Sequence, residues 1–427
     1  MKTAGHSEAT ARRGLELTTF RGLRYDPDRV GSLASVTSPP YDVVVRPDGL
    51  HHLQSADPYN IVRLILPQAG TPSARTEQAA DTLRRWLDEG VLTADTEPGL
   101  YVYEQRDDHG MLQRGVIGTL RVSDPAEGVV LPHEDVMPPV VADRAALMRA
   151  TRANLEPLLL TYRGDGTAAE VVERTADRPP LLSTTTEDGF HHRLWSVTDA
   201  DDVHRIQSDL AGRQALIADG HHRWATYRQL RAEHPSPSPW DYGLVLLVDT
   251  ARYPLRVRAI HRLLHDLRVA DALTAVAGLF RVRRLDVPLP EALEALADAS
   301  RDGNAFLLAG DGAFHLLDRP DPGLLDRTIP AGRPAAWRSL DATVLHATLL
   351  DHVWRIPEDS PAHIAYIHDT AATVEKAERD GGTAVLMHPV REEVVRELAR
   401  QGVTMPRKST SFGPKPASGL VLRALEI

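Results

Sequence analysis

The chain contains no cysteine. Disulfides, thiolate metal centres and cysteine nucleophiles are therefore excluded, and the absence fits a cytoplasmic protein. No apolar stretch approaches the roughly 20 residues needed to span a bilayer, so no membrane partner is expected. Met1 to Gly14 is polar and lacks an apolar core, which reads as a disordered tail and not as a secretory signal. An excess of positive charge is missing too: 49 Lys and Arg face 59 Asp and Glu, a net charge of −10. That balance weighs against a general nucleic-acid or membrane-surface binder. No His-Glu-x-x-His spacing occurs, so the common zinc-hydrolase signature is absent as well.

What remains is ordinary globular composition, 42% hydrophobic and 25% charged over 427 residues, too long for one typical core. Ser38-Pro39-Pro40-Tyr41-Asp42-Val43 is a proline-stiffened loop that would present Tyr41 and Asp42 to a substrate. Asn60 to Leu66 (NIVRLIL) reads as a strand, and Ser73 to Glu89 as an amphipathic helix stopped by Gly90. Leu100–Gln105 and Met111–Val122 read as a hairpin across Asp107-Asp108-His109-Gly110. His191 and His192 alternate faces of a strand and read as packing residues. Tyr242–Asp249 is a buried strand, and Arg256, Arg258 and Arg262 after it read as a charged strand face or additions to an anion site. From about Asp271 helices and strands alternate. The expected class is α/β with mixed sheets, divided as a tail (1–14), an N-terminal α/β region (15–128), a phosphate-binding core (129–265) and a C-terminal α/β region (266–427).

Three stretches carry chemistry. In the first, the apolar run Ala215–Ala218 ends in Asp219-Gly220-His221-His222-Arg223 and a helix follows. A strand entering a helix start through glycine suits an anion, because the first helix amides are unpaired and the dipole is positive there. Gly220 permits close backbone approach, Arg223 supplies a bidentate donor, and His221 and His222 are donors, bases or ligands. The competing reading is a strand-turn-helix corner with polar decoration. The second stretch, Pro132-His133-Glu134-Asp135, offers a general base in Glu134 or simply a solvated loop. Arg144 follows it on an expected helix as a substrate contact. The third, Met405 to Pro416, is basic, hydroxyl-rich and tethered by a strand pattern over Gly419–Leu425; Lys408, Ser409, Thr410 and Lys415 are phosphate-contact candidates.

The segments FRGLRY, PPYDV, NIVRLILP, YVYEQ, PHED, DGHHR, LDATVLH and MPRKSTSFGPKPASGLVLR resemble family ten-fifteen of the domains of unknown function, found in bacteria and archaea. The resemblance runs from about Phe20 to Leu425. More distantly, DGHHR looks like the phosphate-gripping turn of the ParB/sulfiredoxin superfamily, which includes kinases that phosphorylate free serine. This resemblance implies a ParB/sulfiredoxin-like core over 129–265 inside a larger composite α/β protein. It matches Asp219, His221 and Arg223 to the phosphate turn and Glu134 to the base. Relatives often lie near serine-biosynthesis genes, which implies a hydroxy amino acid. The chain departs from the pattern at Trp224-Ala225-Thr226-Tyr227 after the turn, at Val136 and at Arg407. Those flanking changes put the substrate in doubt more than the general chemistry.

The expectation is a nucleotide-dependent phosphotransferase acting on a small hydroxylated metabolite. Glu134 is the base, with His133 and His222 as lesser catalytic candidates. ATP or ADP is the nucleotide, and Mg²⁺ is held partly by Asp219 and Glu134. The alternatives are a phosphatase, a ParB-like nucleotide switch or DNA-binding protein, a metal-dependent hydrolase through His133, His221 and His222, and a non-catalytic ligand-binding protein. Oligomeric state is not readable from the chain.

Overall fold

The computed structural model describes residues 14–40, 49–357 and 362–426. Tyr41 and Asp42 lie outside the described residues. The chain divides into two compact units: one holds Met1–Leu131, Val136–Leu255 and Pro414–Ile427, the other Pro132–Asp135 and Arg256–Gly413. Each interrupts the other in sequence, so Pro132–Asp135 belongs with the second unit and the last residues belong with the first.

The first unit is built on a nine-stranded mixed sheet. Its order is Val130–Leu131, Ala215–Asp219, Leu158–Tyr162, Tyr242–Asp249, Leu112–Arg121, Leu100–Arg106, His191–Val197 and Leu182–Thr185, with Leu17–Thr18 added beside Leu112–Arg121. Two pairings are parallel, Ala215–Asp219 with Val130–Leu131 and Tyr242–Asp249 with Leu158–Tyr162. Strands covered on both faces read as unbroken apolar runs. Leu158, Leu160, Ile217, Val245 and Leu247 accordingly sit in one core with Val171 and Ile206 from helices Thr167–Ala176 and Ala200–Leu210. Asp199 caps the second of these helices as its side chain accepts from the Asp201 and Asp202 amides. The hairpin Leu100–Arg106 to Leu112–Arg121 forms as the alternation predicts. A four-stranded sheet, Leu92–Ala94, Gly22–Tyr25, Leu422–Ala424 and Ala153–Asn154, draws the C-terminal residues into this unit.

One element differs from the sequence reading. NIVRLIL is not a strand; Val62–Ile65 forms a helical turn. Asn60 selects it, accepting from the Val62 amide at 3.1 Å and donating to the Ser35 carbonyl at 2.8 Å. Ile61, Val62, Leu64 and Ile65 are buried, so the run shows no alternation, and periodicity alone does not separate a short buried helix from a buried strand.

The second unit centres on a six-stranded, wholly antiparallel sheet ordered Arg281–Leu285, Phe314–Asp318, Ala305–Ala309, Thr383–Met387, His261–Leu264 and Ile364–Ile367. Period-two alternation sorts its side chains. Phe306, Leu308 and Leu317 pack with Leu345 and Leu349 on one face; Leu307 and Leu316 pack with Ala292, Leu296 and Val374 on the other. The segment Asp341–Trp354 is α-helical only at Asp341–Thr343 and π-wound over Val344–Trp354. The positive run after Tyr242–Asp249 divides as well. Arg256 and Arg258 are exposed, while Arg262 is fully buried on the Ile260 carbonyl, His346 Nε2 at 2.8 Å and the Tyr366 ring at 5.0 Å. Among the described residues no helix is long and apolar enough to cross a membrane.

Candidate functional site

The first unit's cluster is the corner between strand Ala215–Asp219 and helix His221–Glu233. Gly220 joins them at φ 99°, a left-handed conformation that costs other residues energy. Space is tight as well: an added Cβ would lie 3.1 Å from Arg223 Nε and 3.2 Å from Leu158 Cγ. Asp219 Oδ2 accepts from Arg223 Nη2 at 2.7 Å, and Lys415 Nζ stands 2.9 Å from Oδ1. Burial alone would raise the Asp219 carboxyl, but Lys415 and then Arg223 outweigh it and hold the group well below the usual carboxylate range. Arg223 Nη1 donates to the Pro157 carbonyl at 2.7 Å, and Glu156 Oε2 is 3.9 Å away. Arg223 therefore braces the turn from beneath as well as adding positive charge to it.

The histidines divide their roles. His222 Nε2 accepts from the Met137 amide at 3.1 Å, at the entrance of helix Pro138–Thr151. That bond requires a lone pair on Nε2 and engages the atom a base would use. His221 is buried beside Asp219 and adds positive field there. Arg144 lies on helix Pro138–Thr151, half-buried, within the field of Arg223, Glu156 and Asp219.

Lys415 comes to Asp219 through contacts that periodicity does not show. Gln105 and Gln113 both donate to the Pro414 carbonyl, at 3.2 and 3.1 Å, and the Ala417 amide donates to the Tyr103 hydroxyl at 3.2 Å. Tyr103 in turn pairs with buried His192 Nδ1 at 2.9 Å. The backbone is thus held on both sides of Lys415. Buried glutamines in strands Leu100–Arg106 and Leu112–Arg121 were the available signal, since buried polar side chains need partners. Glu156, just before a buried strand, carried no comparable signal.

The second unit's cluster joins Pro132–Asp135 to the Met405–Thr410 loop. The Met405 amide donates to the His133 carbonyl at 2.8 Å, and the Lys408 amide donates to Glu134 Oε1 at 3.3 Å. His133 Nε2 pairs with Thr410 Oγ1 at 3.0 Å, and its ring lies 5.5 Å from that of Phe412. Ser409 Oγ donates to the Pro406 carbonyl. Lys408 takes φ 57°, uncommon for a residue with a Cβ, with its side chain exposed. Both hydroxyls expected to meet phosphate thus have protein partners, Ser409 within the loop and Thr410 on His133.

Among the described residues no group of three or more His, Asp or Glu side chains is placed to hold a metal ion. Both Asp219 oxygens already face cations.

Residues 17–343 match the model of a family described as "Protein of unknown function (DUF1015)". The chain belongs to that family. No curated protein matches this DUF1015 member. Among solved structures it is similar to a free serine kinase in complex with AMP, at 15% identity and a TM-score of 0.35 over 70% of this chain and 87% of that one. A conserved hypothetical protein from Pyrococcus furiosus gives 15% identity and 0.35 over 70% and 90%. SbnI with a C-terminal truncation, from Staphylococcus aureus, gives 10% identity and 0.34 over 70% and 82%.

Proposed function

We propose that this protein is a nucleotide-dependent phosphotransferase acting on a small hydroxylated metabolite of the serine-like hydroxy amino acid kind. The observation that supports the reading is the Asp219 corner. Its carboxylate is clamped between Arg223 and Lys415, and the left-handed Gly220 starts a helix whose first amides face outward along the axis. Three cations, Arg144, Arg223 and Lys415, act around two carboxylates, Asp219 and Glu156. The corner therefore keeps a surplus positive charge, the condition for taking a phosphate group.

In this proposal the amides at Gly220 to His222 and the Lys415 ammonium bind phosphate oxygens of ATP or ADP. Arg223 keeps the turn in shape. Glu134 takes the proton from the acceptor hydroxyl as that oxygen bonds to the terminal phosphorus and the P–O bond to the nucleotide breaks. The assignment of Glu134 rests on the sequence resemblance to a ParB/sulfiredoxin-like core. Asp219 does not fit a resident Mg²⁺, since a metal would displace two cations. Magnesium, if used, arrives on the nucleotide's phosphates.

Thermal-shift titration of the full chain with ATP, ADP, CTP and phosphoserine, with and without Mg²⁺, tests the reading. Stabilisation by a nucleotide that disappears in Lys415→Met is expected. A chain that no nucleotide or phosphorylated metabolite stabilises refutes it. Glu134→Gln should retain that stabilisation and lose phosphate transfer to hydroxy amino acids; full turnover in this variant removes Glu134 from the mechanism.

A further inference from the structure

The NIVRLILP segment has no part in the Asp219 corner, yet it forms one wall of a cavity of about 510 Å³ in the first unit. Ile65, Leu66 and Pro67 supply that wall. Val140, Asp143, Arg144 and Leu147 supply the opposite one. These four recur at three- and four-residue spacing along helix Pro138–Thr151, so one stripe of the helix faces the cavity. Arg75 and Thr76, near the start of helix Pro72–Asp88, close the third side. The volume suits a small organic molecule.

The charges are the unusual part. Among the described residues neither the Arg75 nor the Arg144 guanidinium makes a hydrogen bond or ion pair. Arg144 is half-buried, and burial, followed by the like charge of Arg223, disfavours its cationic form. A guanidinium stays ionised nevertheless, so the cavity holds a half-buried cation that feels Glu156 and Asp219 at a distance but meets no carboxylate at ion-pair distance among the described residues. Asp143 is the one carboxylate on the lining, against two guanidinium groups, and it is exposed. The lining therefore carries one net positive charge beside an apolar wall. A small gap lined by Ile65, Arg144, Leu147, Glu156 and Arg223 continues from Arg144 toward the Asp219 corner.

We infer that this cavity is a binding site for a small carboxylic acid with an apolar body, whose carboxylate is gripped by Arg144 with Arg75 assisting and whose body lies against Ile65, Leu66, Pro67, Val140 and Leu147. One surplus positive charge matches a monoanion better than a phosphate dianion. The planar guanidinium fork matches carboxylate geometry, and the apolar wall has no donor for a polar body. Binding at this site does not depend on the phosphotransfer reading. Should that reading hold, the occupant is the acceptor.

Calorimetric titration of the full chain at neutral pH with hexanoate, phenylpropanoate, hexanamide and hexyl phosphate tests the inference. Both acids should bind and the uncharged amide should bind roughly tenfold more weakly or not at all, the loss of a charge-assisted pair. Arg144→Gln should weaken the acids by a similar factor, Arg144→Lys should restore part of the affinity, and Arg75→Gln should have a smaller effect in the same direction. Since Arg144 makes no internal bond, its substitution should leave the melting temperature of the unliganded chain unchanged, which separates lost binding from lost folding. A chain that binds hexanoate but no nucleotide upholds this site while refuting the phosphotransferase. The inference is overturned if neither acid binds, if hexanamide binds as tightly as hexanoate, if hexyl phosphate binds tenfold tighter than hexanoate, or if Arg144→Gln keeps full affinity.

Discussion

Removing Lys415 from Asp219 tests whether the C-terminal segment is an integral part of the corner or a loosely held neighbour. At 2.9 Å the pair would attract by about 4–6 kcal/mol in a medium of effective dielectric constant about 20. Desolvation of both ends offsets much of that. The side chains keep 17% and 25% of their surface, so solvent screening reduces the remainder. A coupling of about 1–3 kcal/mol is expected. The measurement is a double-mutant cycle of Lys415→Met, Asp219→Asn and the double variant, read by urea denaturation near neutral pH. Asp219→Asn alone should cost more than Lys415→Met alone, because it also deprives Arg223 of its carboxylate and leaves it with the Pro157 carbonyl and Glu156 at 3.9 Å. Acidification adds a check. A carboxyl held below its unfolded value contributes stability that is present above the unfolded value and is lost as pH falls through the folded one. The contribution should therefore be constant across neutral pH and fade only in strong acid. A coupling below about 0.5 kcal/mol would mean that the pair behaves as an exposed ion pair, and the clamped-corner argument would fail.

Gly220→Ala should cost about 1–3 kcal/mol in thermal or urea unfolding, because the left-handed backbone and the crowding against Arg223 and Leu158 act together; a neutral substitution would show that the turn is not constrained. Tyr103→Phe removes the acceptor for the Ala417 amide and should raise hydrogen exchange over residues 414–418, with a stability loss of about 1–2 kcal/mol. Unchanged exchange there would detach Tyr103 from the holding of Lys415. Burial pushes the Asp341 carboxyl up to about 6, against the Asn304 amide that accommodates the charged form at 2.7 Å. The folded chain then binds the proton more tightly than the unfolded one, so this group's contribution falls as pH rises from the unfolded value of 3.8 to about 6 and is gone above it. Asp341→Asn should gain about 1–3 kcal/mol over the parent at neutral pH and little near pH 4; an equal effect at both would refute the shift.

Long periodic elements were legible in the chain. The run LVLLV of Tyr242–Asp249, the hairpin around Asp107–Gly110 and the alternating helices and strands after Asp271 all appear in the structure, because burial on one or both faces imposes its period on the sequence. NIVRLIL was not, since a short run buried all round has no period to read, and an asparagine hydrogen bond settled it. The corner was half legible. Asp219, Gly220 and Arg223 announce a turn at a helix start, but Arg223's carbonyl and carboxylate partners, Pro157 and Glu156, do not. His222 looks like a base in sequence and accepts a backbone amide in the fold. Ser409 and Thr410 look like phosphate contacts and bond to Pro406 and His133.

By itself the sequence determined local conformation and the inventory of charge: where glycine is required, which runs are buried, and that no thiol chemistry exists. Only the tertiary structure decided which charges meet. Lys415 reaches Asp219 because strand glutamines and a tyrosine hold a segment from the far end of the chain, and Arg144 and Arg75 line one cavity against the single carboxylate of Asp143. Pairing of that kind depends on contacts between distant residues, and a side chain's chemistry shows what it can bind but not which partner the fold brings to it.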